Sequence, residues 1–367
     1  MKVGVLTSSR ADYGIYLPLL QKMKQDPYFE LEIIAFGTHL SKGHGFTLDE
    51  IQKDGYNCVR TISSLISNDD EQSIATSYGL TVLKFADFWT IRHYDLVFCL
   101  GDRFEMSAAV QAGVPFGIKF AHIHGGETTL GAIDNVYRHQ VTLASTLHFT
   151  AVDAFKQRVV ELLGSSHGVF SIGSLSLNDI LSFKPIQKQL FLKKYGIKDE
   201  DFVLVTFHPE TVSPNENIHF AKEMKNALAA ISEKYQVVIT MPNADTMGSI
   251  YRESLQELKH EKLDSIVLIE NFGKENYFTA MCYANLLLGN TSSGILEAAS
   301  FGKYVVNVGD RQKGRLQSGN VIDCGFKEDD IVNAFGSAVS LGSYNGENFY
   351  FKEGVADSII KVIKEFI

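Results

Sequence analysis

Short apolar runs recur along the chain, separated by longer stretches whose apolar positions fall three or four residues apart. In the first half the runs cover residues 2–7, 31–36, 96–100, 118–123, 147–150 and 169–172, with a further short one ending at Arg60. Between them, helical spacing is carried by Leu17, Leu20 and Met23, by Ile74, Tyr78, Val82 and Phe85, and by Val160 and Leu163. Strand-length runs alternating with helix-length amphipathic segments predict a parallel sheet wrapped by helices. After a polar stretch beginning at Gly173-Ser174, the pattern starts again. Strands are expected at 202–207, 236–240, 265–269, 285–289 and 304–308, helices at 218–234, 246–258, 277–283 and 294–301, and a final helix at 355–366.

The expected fold is therefore α/β, with two Rossmann-like doubly wound domains facing a central cleft. A chain of 367 residues exceeds what one hydrophobic core usually supports, which agrees with two domains. The first is expected over 1–175 and the second over 176–354.

Charge and composition narrow the partners. A formal charge of -9 argues against a nucleic-acid or anionic-membrane surface, which needs a basic face, but leaves room for a local cationic pocket. No run approaches the roughly 20 apolar residues of a membrane helix, and the N-terminal run is too short for a signal peptide, so a cytoplasmic protein is expected. The four cysteines, Cys58, Cys99, Cys282 and Cys324, show no C-x-x-C spacing, and free thiols are expected. His39 and His44 sit among glycines without a third metal ligand nearby, so no metal site is expected.

Candidate chemistry gathers where the runs stop. In an open parallel sheet, ligands lie beyond the carboxyl ends of the strands. Run 96–100 is followed by Gly101-Asp102-Arg103-Phe104-Glu105, and run 118–123 by His124-Gly125-Gly126-Glu127 and then Asp134, Arg138 and His139. Asp102 and Asp134 each suit the N-cap of a following helix, at 103–112 and 135–145. Two such residues at neighbouring strand ends, with Glu127 between them, also suit acid–base chemistry. His122 and His124 alternate with Ile123; the first is expected to pack and the second to reach the site. Arg10 follows the first strand, where no G-x-G-x-x-G stands to favour a dinucleotide.

In the second half, Asn290-Thr291-Ser292-Ser293-Gly294 opens a helix whose free N–H groups suit a phosphate. The next strand ends at Gly309-Asp310-Arg311-Gln312-Lys313-Gly314-Arg315, placing three cations within five residues. Together these suit a diphosphate, with Glu297 one helical turn beyond Ser293 to accept from ribose hydroxyls. His208-Pro209 and Asn243-Ala244-Asp245 end two further strands.

Taken together, Ser9-Arg10-Ala11-Asp12-Tyr13, Leu100-Gly101-Asp102-Arg103, His122-Ile123-His124-Gly125-Gly126-Glu127, Asp134 with Arg138-His139, His208-Pro209, Gly289-Asn290-Thr291-Ser292-Ser293-Gly294 and Gly309-Asp310-Arg311-Gln312 resemble the hydrolysing UDP-N-acetylglucosamine 2-epimerases over nearly the whole chain. The resemblance is to the branch that feeds sialic-acid-like sugars. It implies a glycosyltransferase-B-like pair of domains with the C-terminal helix, 355–367, returning to the first, no cofactor or metal, and a homodimer or homotetramer. It implies elimination of UDP from UDP-N-acetylglucosamine to a 2-acetamidoglucal, then hydration to N-acetylmannosamine. UDP-N,N'-diacetylbacillosamine is the alternative substrate, and a glycosyltransferase of the same fold the alternative activity. By the resemblance Asp102 and Asp134 match catalytic acids. Many members read His-Ile-Glu-Gly-Gly, so His124, Glu127 or both take the place of that glutamate here, with His208 a further catalytic candidate. Arg10, Arg103, Asn243, Asp245, Ser292, Ser293, Gly294, Glu297, Arg311 and Arg315 match or adjoin nucleotide-binding positions, with Phe272 a wall for uracil.

Overall fold

A computed structural model of the chain describes residues 1–44, 46–56, 59–66, 68, 70–210, 214–242 and 248–366. The chain divides into two compact units, one of Met1–Thr128, Ile133–Asp179 and Tyr350–Ile367, the other of Thr129–Ala132 and Ile180–Phe349.

The first unit runs β1 (Lys2–Thr7), α1 (Arg10–Gln25), β2 (Glu30–Phe36), α2 (Leu48–Lys53), β3 (Val59–Ile62), α3 (Glu71–Ile91), β4 (Leu96–Leu100), α4 (Phe104–Gly113), β5 (Phe120–Ile123), α5 (Asp134–Ala144), β6 (Leu147–Thr150), α6 (Asp153–Leu163) and β7 (Val169–Ser171). Its strands form a parallel sheet in the order β3-β2-β1-β4-β5-β6-β7. Apolar side chains cover both faces: on β2, Ile33 and Ala35 join one core while Ile34 and Phe36 join the other. Burial on both sides is what makes such strands continuous apolar runs.

The second unit contains α7 (Lys188–Tyr195), β8 (Phe202–Thr206), α8 (Asn217–Ile231), β9 (Gln236–Thr240), α9 (Gly248–Glu261), β10 (Ile266–Ile269), α10 (Lys274–Tyr283), β11 (Leu287–Gly289), α11 (Ser292–Leu296), β12 (Val305–Val308), β13 (Val321–Cys324) and α12 (Glu328–Leu341). Its parallel sheet has the order β10-β9-β8-β11-β12-β13. Each sheet reverses its winding at its first strand, between β1 and β4 in one unit and between β8 and β11 in the other. Those are the positions where doubly wound sheets receive ligands.

Four elements were not expected from the pattern: α2, α7, β13 and α12. β13 is a half-exposed edge strand with Asp323 in its middle, so it lacks the apolar run of a buried strand. Helices α4 and α5 also begin differently from expectation. Arg103 occupies the cap position of α4 without a side-chain capping bond to the helix backbone, and Asp134 is the first residue of α5 rather than its cap. Neither Asp102 nor Asp134 is therefore an N-cap.

The last helix, α13 (Val355–Phe366), packs on α1 in the first unit. Ile359 and Ile363 have no exposed surface and lie in the core with Tyr16, Leu19 and Leu20. Lys22 with Asp357 (2.7 Å) and Lys364 with Asp26 (2.5 Å) tie the rim. Burial of the apolar face supplies most of the binding, because exposed ion pairs are worth little. Ile359→Ala is expected to destabilise the first unit by about 2–4 kcal/mol, measured as a lower urea midpoint at unchanged slope.

Candidate active site

In the first unit, β4 and β5 are adjacent and in register, Cys99 opposite His122 and Leu100 opposite Ile123, so their following turns emerge side by side. The turn after β4 passes through Gly101 at φ +74°, and the Gly101 N–H donates to Ile123 O (3.0 Å). His122 secures the other side of this turn. Its Nε2 lies 2.8 Å from Gly101 O and its Nδ1 3.1 Å from Thr142 Oγ1. A carbonyl only accepts, so Nε2 carries the proton and Nδ1 accepts from the Thr142 hydroxyl. Burial pushes the His122 pKa down to about 3, keeping the ring neutral. Gly125 packs on the same ring: a β-carbon there would lie 3.0 Å from His122 Nδ1. One neutral imidazole thus touches the turn before Asp102, the loop before Glu127 and the helix that begins at Asp134.

His124 adopts the left-handed conformation, φ +66°, which is uncommon for a residue with a side chain. The conformation is fixed by His124 N–H to Phe149 O (3.0 Å) and by Nδ1 to Glu127 Oε1 (2.9 Å), where Nδ1–H donates to the carboxylate. Nε2 faces Ser174 Oγ at 3.5 Å. Both members of the His124–Glu127 pair are buried.

Arg138, from the next turn of α5, joins the two carboxylate loops. It is buried; Nη2 donates to the Asp102 carboxylate, and Nη1 donates to Glu127 O (2.9 Å) and Asn135 Oδ1 (3.1 Å). Asp102 keeps about a quarter of its side chain exposed, 24% against 2% for Arg138. Asp134 stands in the first turn of α5, where the helix dipole favours an anion. The Arg103 guanidinium bonds Glu105 at 3.1 and 3.2 Å. Burial raises the Glu105 pKa while Arg103 lowers it, so Arg103 compensates a buried carboxyl. Arg10 opens α1 behind a capping box of Ser9 and Asp12, with its Nε 3.5 Å from Glu50.

In the second unit, His208, the Thr291–Gly294 stretch and the Asp310–Arg315 loop follow the neighbouring strands β8, β11 and β12. The buried Asn290 clamps His208 through its backbone: His208 N–H donates to Oδ1 (2.7 Å) and Nδ2 donates to His208 O (2.8 Å). Asn290 O in turn accepts from Gln312 Nε2 (2.8 Å). Thr291 caps α11, and Ser292, Ser293 and Gly294 are that helix's first residues. Ser293 and Thr206 hydrogen-bond the Tyr277 hydroxyl, whose pKa burial pushes up to about 12. Glu297 is buried at the end of α11. Arg311 and Arg315 are half-buried. Phe272 lies in the core, its ring against Phe191 and Tyr195. Asn243 and Asp245 fall outside the described residues.

Sequence reasoning missed the roles of Arg138, His122 and Asn290, although each stands in a quoted motif. The available signal for Arg138 was its place one helical turn after Asp134. His39 is also buried, its ring between Thr7 Oγ1 (2.9 Å) and Thr47 Oγ1 (2.8 Å). The described residues contain no cluster of three metal-ligating side chains.

Two predictions follow from these histidines. Burial holds His39 and His148 at about 4 and His122 at about 3, whereas the unfolded chain binds protons at ordinary histidine values. Their neutral burial is therefore tolerated fully above about pH 6.5, and each withdraws up to about 3 kcal/mol of stability as pH falls toward 4. Urea midpoints measured from pH 7 to 4.5 are expected to fall steadily. His122→Phe keeps the ring volume but leaves Gly101 O without its imidazole donor, so it is expected to lower the stability of the first unit by about 1–3 kcal/mol, read as a lower urea midpoint at pH 7.

The fold and the sequence both have counterparts among known proteins. A family model described as UDP-N-acetylglucosamine 2-epimerase matches residues 21–364. Polysialic acid biosynthesis protein P7 of Escherichia coli is 32% identical over 375 residues, covering 100% of this chain and 94% of the relative. The GDP/UDP-N,N'-diacetylbacillosamine 2-epimerase (hydrolyzing) of Campylobacter jejuni is 34% identical over 325 residues, covering 88% of this chain and 84% of the relative. The crystal structure of UDP-GlcNAc 2-epimerase from Neisseria meningitidis bound to UDP-GlcNAc shares the fold, with TM-score 0.80 at 17% identity and 100% coverage of both chains. The match to the family model over most of the chain, with two relatives above 30% identity, places this protein in the UDP-N-acetylglucosamine 2-epimerase family.

Proposed function

We propose that the protein is a hydrolysing UDP-sugar 2-epimerase acting in the cytoplasm, converting UDP-N-acetylglucosamine and water to N-acetylmannosamine and UDP. In this reading the product serves sialic-type sugar synthesis. The observation that carries it is the first unit's acid cluster, in which Arg138 joins the Asp102 carboxylate to the Glu127 loop and His124 holds Glu127.

The reaction needs two kinds of group. A carboxylate must take the C2 proton as the C1–O bond to UDP breaks, leaving the 2-acetamidoglucal; a second proton must then reach C2 on the opposite face as water adds at C1. Asp102, Glu127 and Asp134 fill those roles, with His124 orienting Glu127. The departing diphosphate needs cations and free N–H groups. Arg311, Arg315 and the start of α11 fill that role, with His208 beside them.

UDP-N,N'-diacetylbacillosamine is the second reading, favoured by the name of the Campylobacter relative. Self-association into a dimer or tetramer is also proposed, since Leu83 and Ile91 of α3 and Val136 and Leu143 of α5 are exposed.

Both UDP-sugars should be assayed in heavy water without any acceptor. The reading predicts UDP release and a free sugar carrying one deuterium at C2. Retention of the original C2 hydrogen rules out elimination and returns the protein to group transfer or simple hydrolysis. The faster of the two sugars identifies the substrate.

A further inference from the structure

Glu210 lies two residues beyond His208 and belongs to none of the groups assigned above. It is a buried carboxylate with a specific target. Its Oε1 accepts from the Asp310 N–H at 2.6 Å, and the Arg311 N–H also bonds to it. Gly309, at φ +75°, brings the backbone so close that a β-carbon there would collide with Glu210 Oε1 and with the Phe326 ring.

Glu210 is itself fixed from behind. Its N–H donates to Asn217 Oδ1 (3.0 Å), and Asn217 Nδ2 donates to Glu210 O (2.9 Å). The buried Tyr251 hydroxyl donates to the same Asn217 Oδ1 (3.3 Å). The loop it holds is fixed at further points: Gly309 N–H to Cys324 O (2.8 Å), Gln312 Nε2 to Asn290 O (2.8 Å) and Leu130 N–H to Lys313 O (2.8 Å). Of these anchors, the carboxylate bonds the N–H groups of Asp310 and Arg311. Burial raises the Glu210 pKa, and the loop's N–H groups and the Arg311 charge counter that shift.

We propose that Glu210 is the positioning residue for the diphosphate-binding loop, setting the backbone at Asp310 and Arg311 so that the Arg311 guanidinium is preorganised for UDP. The proposal rests on the UDP-binding role given to that loop in the proposed function. It assigns Glu210 to ground-state binding of the nucleotide and gives it no part in proton transfer. Glutamine at this position keeps an oxygen able to accept from the loop, whereas alanine leaves buried N–H groups without it.

The test is calorimetric titration of UDP into the full chain, with thermal unfolding and steady-state kinetics on the same samples. Glu210→Ala is expected to weaken UDP binding by about tenfold and raise KM similarly, with kcat within about threefold, while Glu210→Gln stays within about threefold of wild type throughout. Alanine binding UDP within twofold of wild type overturns the proposal, as does glutamine failing as badly as alanine. If the alanine variant does not fold, Asn217→Ala is the substitute: weaker UDP binding supports the proposal and unchanged binding overturns it. Wild-type protein that does not bind UDP contradicts the proposed function itself, which separates the two failures.

Discussion

The strand-end loops of the first unit depend on a buried guanidinium. Arg138 is almost without solvent contact, yet it carries a full charge. A buried charge of this kind survives only with close partners, and removing one typically costs roughly 3–5 kcal/mol. Its partners here are the Asp102 carboxylate, the Glu127 carbonyl and Asn135. Because Arg138 needs all of them, the two loops and the start of α5 are held to one arrangement, and the strained backbone at His124 persists within it.

The same logic appears in the second unit with different groups. Asn290 and Glu210 are buried polar side chains whose bonds go to the backbone of the neighbouring strand-end turns. Backbone partners cannot be moved by a change of rotamer, so the turns at β8, β11 and β12 form one fixed edge. The second unit builds its frame at the winding reversal and the first at the next strand pair, β4 and β5, and both hold it with buried hydrogen bonds.

How much of this could be read beforehand follows from range. Strands such as β4, Leu96–Leu100, were legible because burial on both faces requires a continuous apolar run. The half-exposed edge strand β13 was not, and neither was α12, whose first turn holds Glu328, Asp329 and Asp330. Asp102 and Glu127, which Arg138 links, were visible as polar residues at neighbouring strand ends. The reading of Asp102 as a cap was wrong because α4 begins one residue later and its carboxylate turns to Arg138 instead. Arg138, His122 and Glu210 act across strands or over long separations, 36 residues from Arg138 to Asp102 and 100 from Glu210 to Asp310, and such pairings leave no local periodicity.

The central claim is that this acid cluster removes the C2 proton and so creates an unsaturated sugar before water adds. Rapid-quench mass spectrometry of a single turnover tests it most directly. The account predicts a 2-acetamidoglucal, lighter than the free sugar by one water, that rises with UDP and decays into N-acetylmannosamine or its diacetylated relative. Simultaneous appearance of UDP and a free sugar with unchanged C2 configuration, and no unsaturated species at any time, would contradict it.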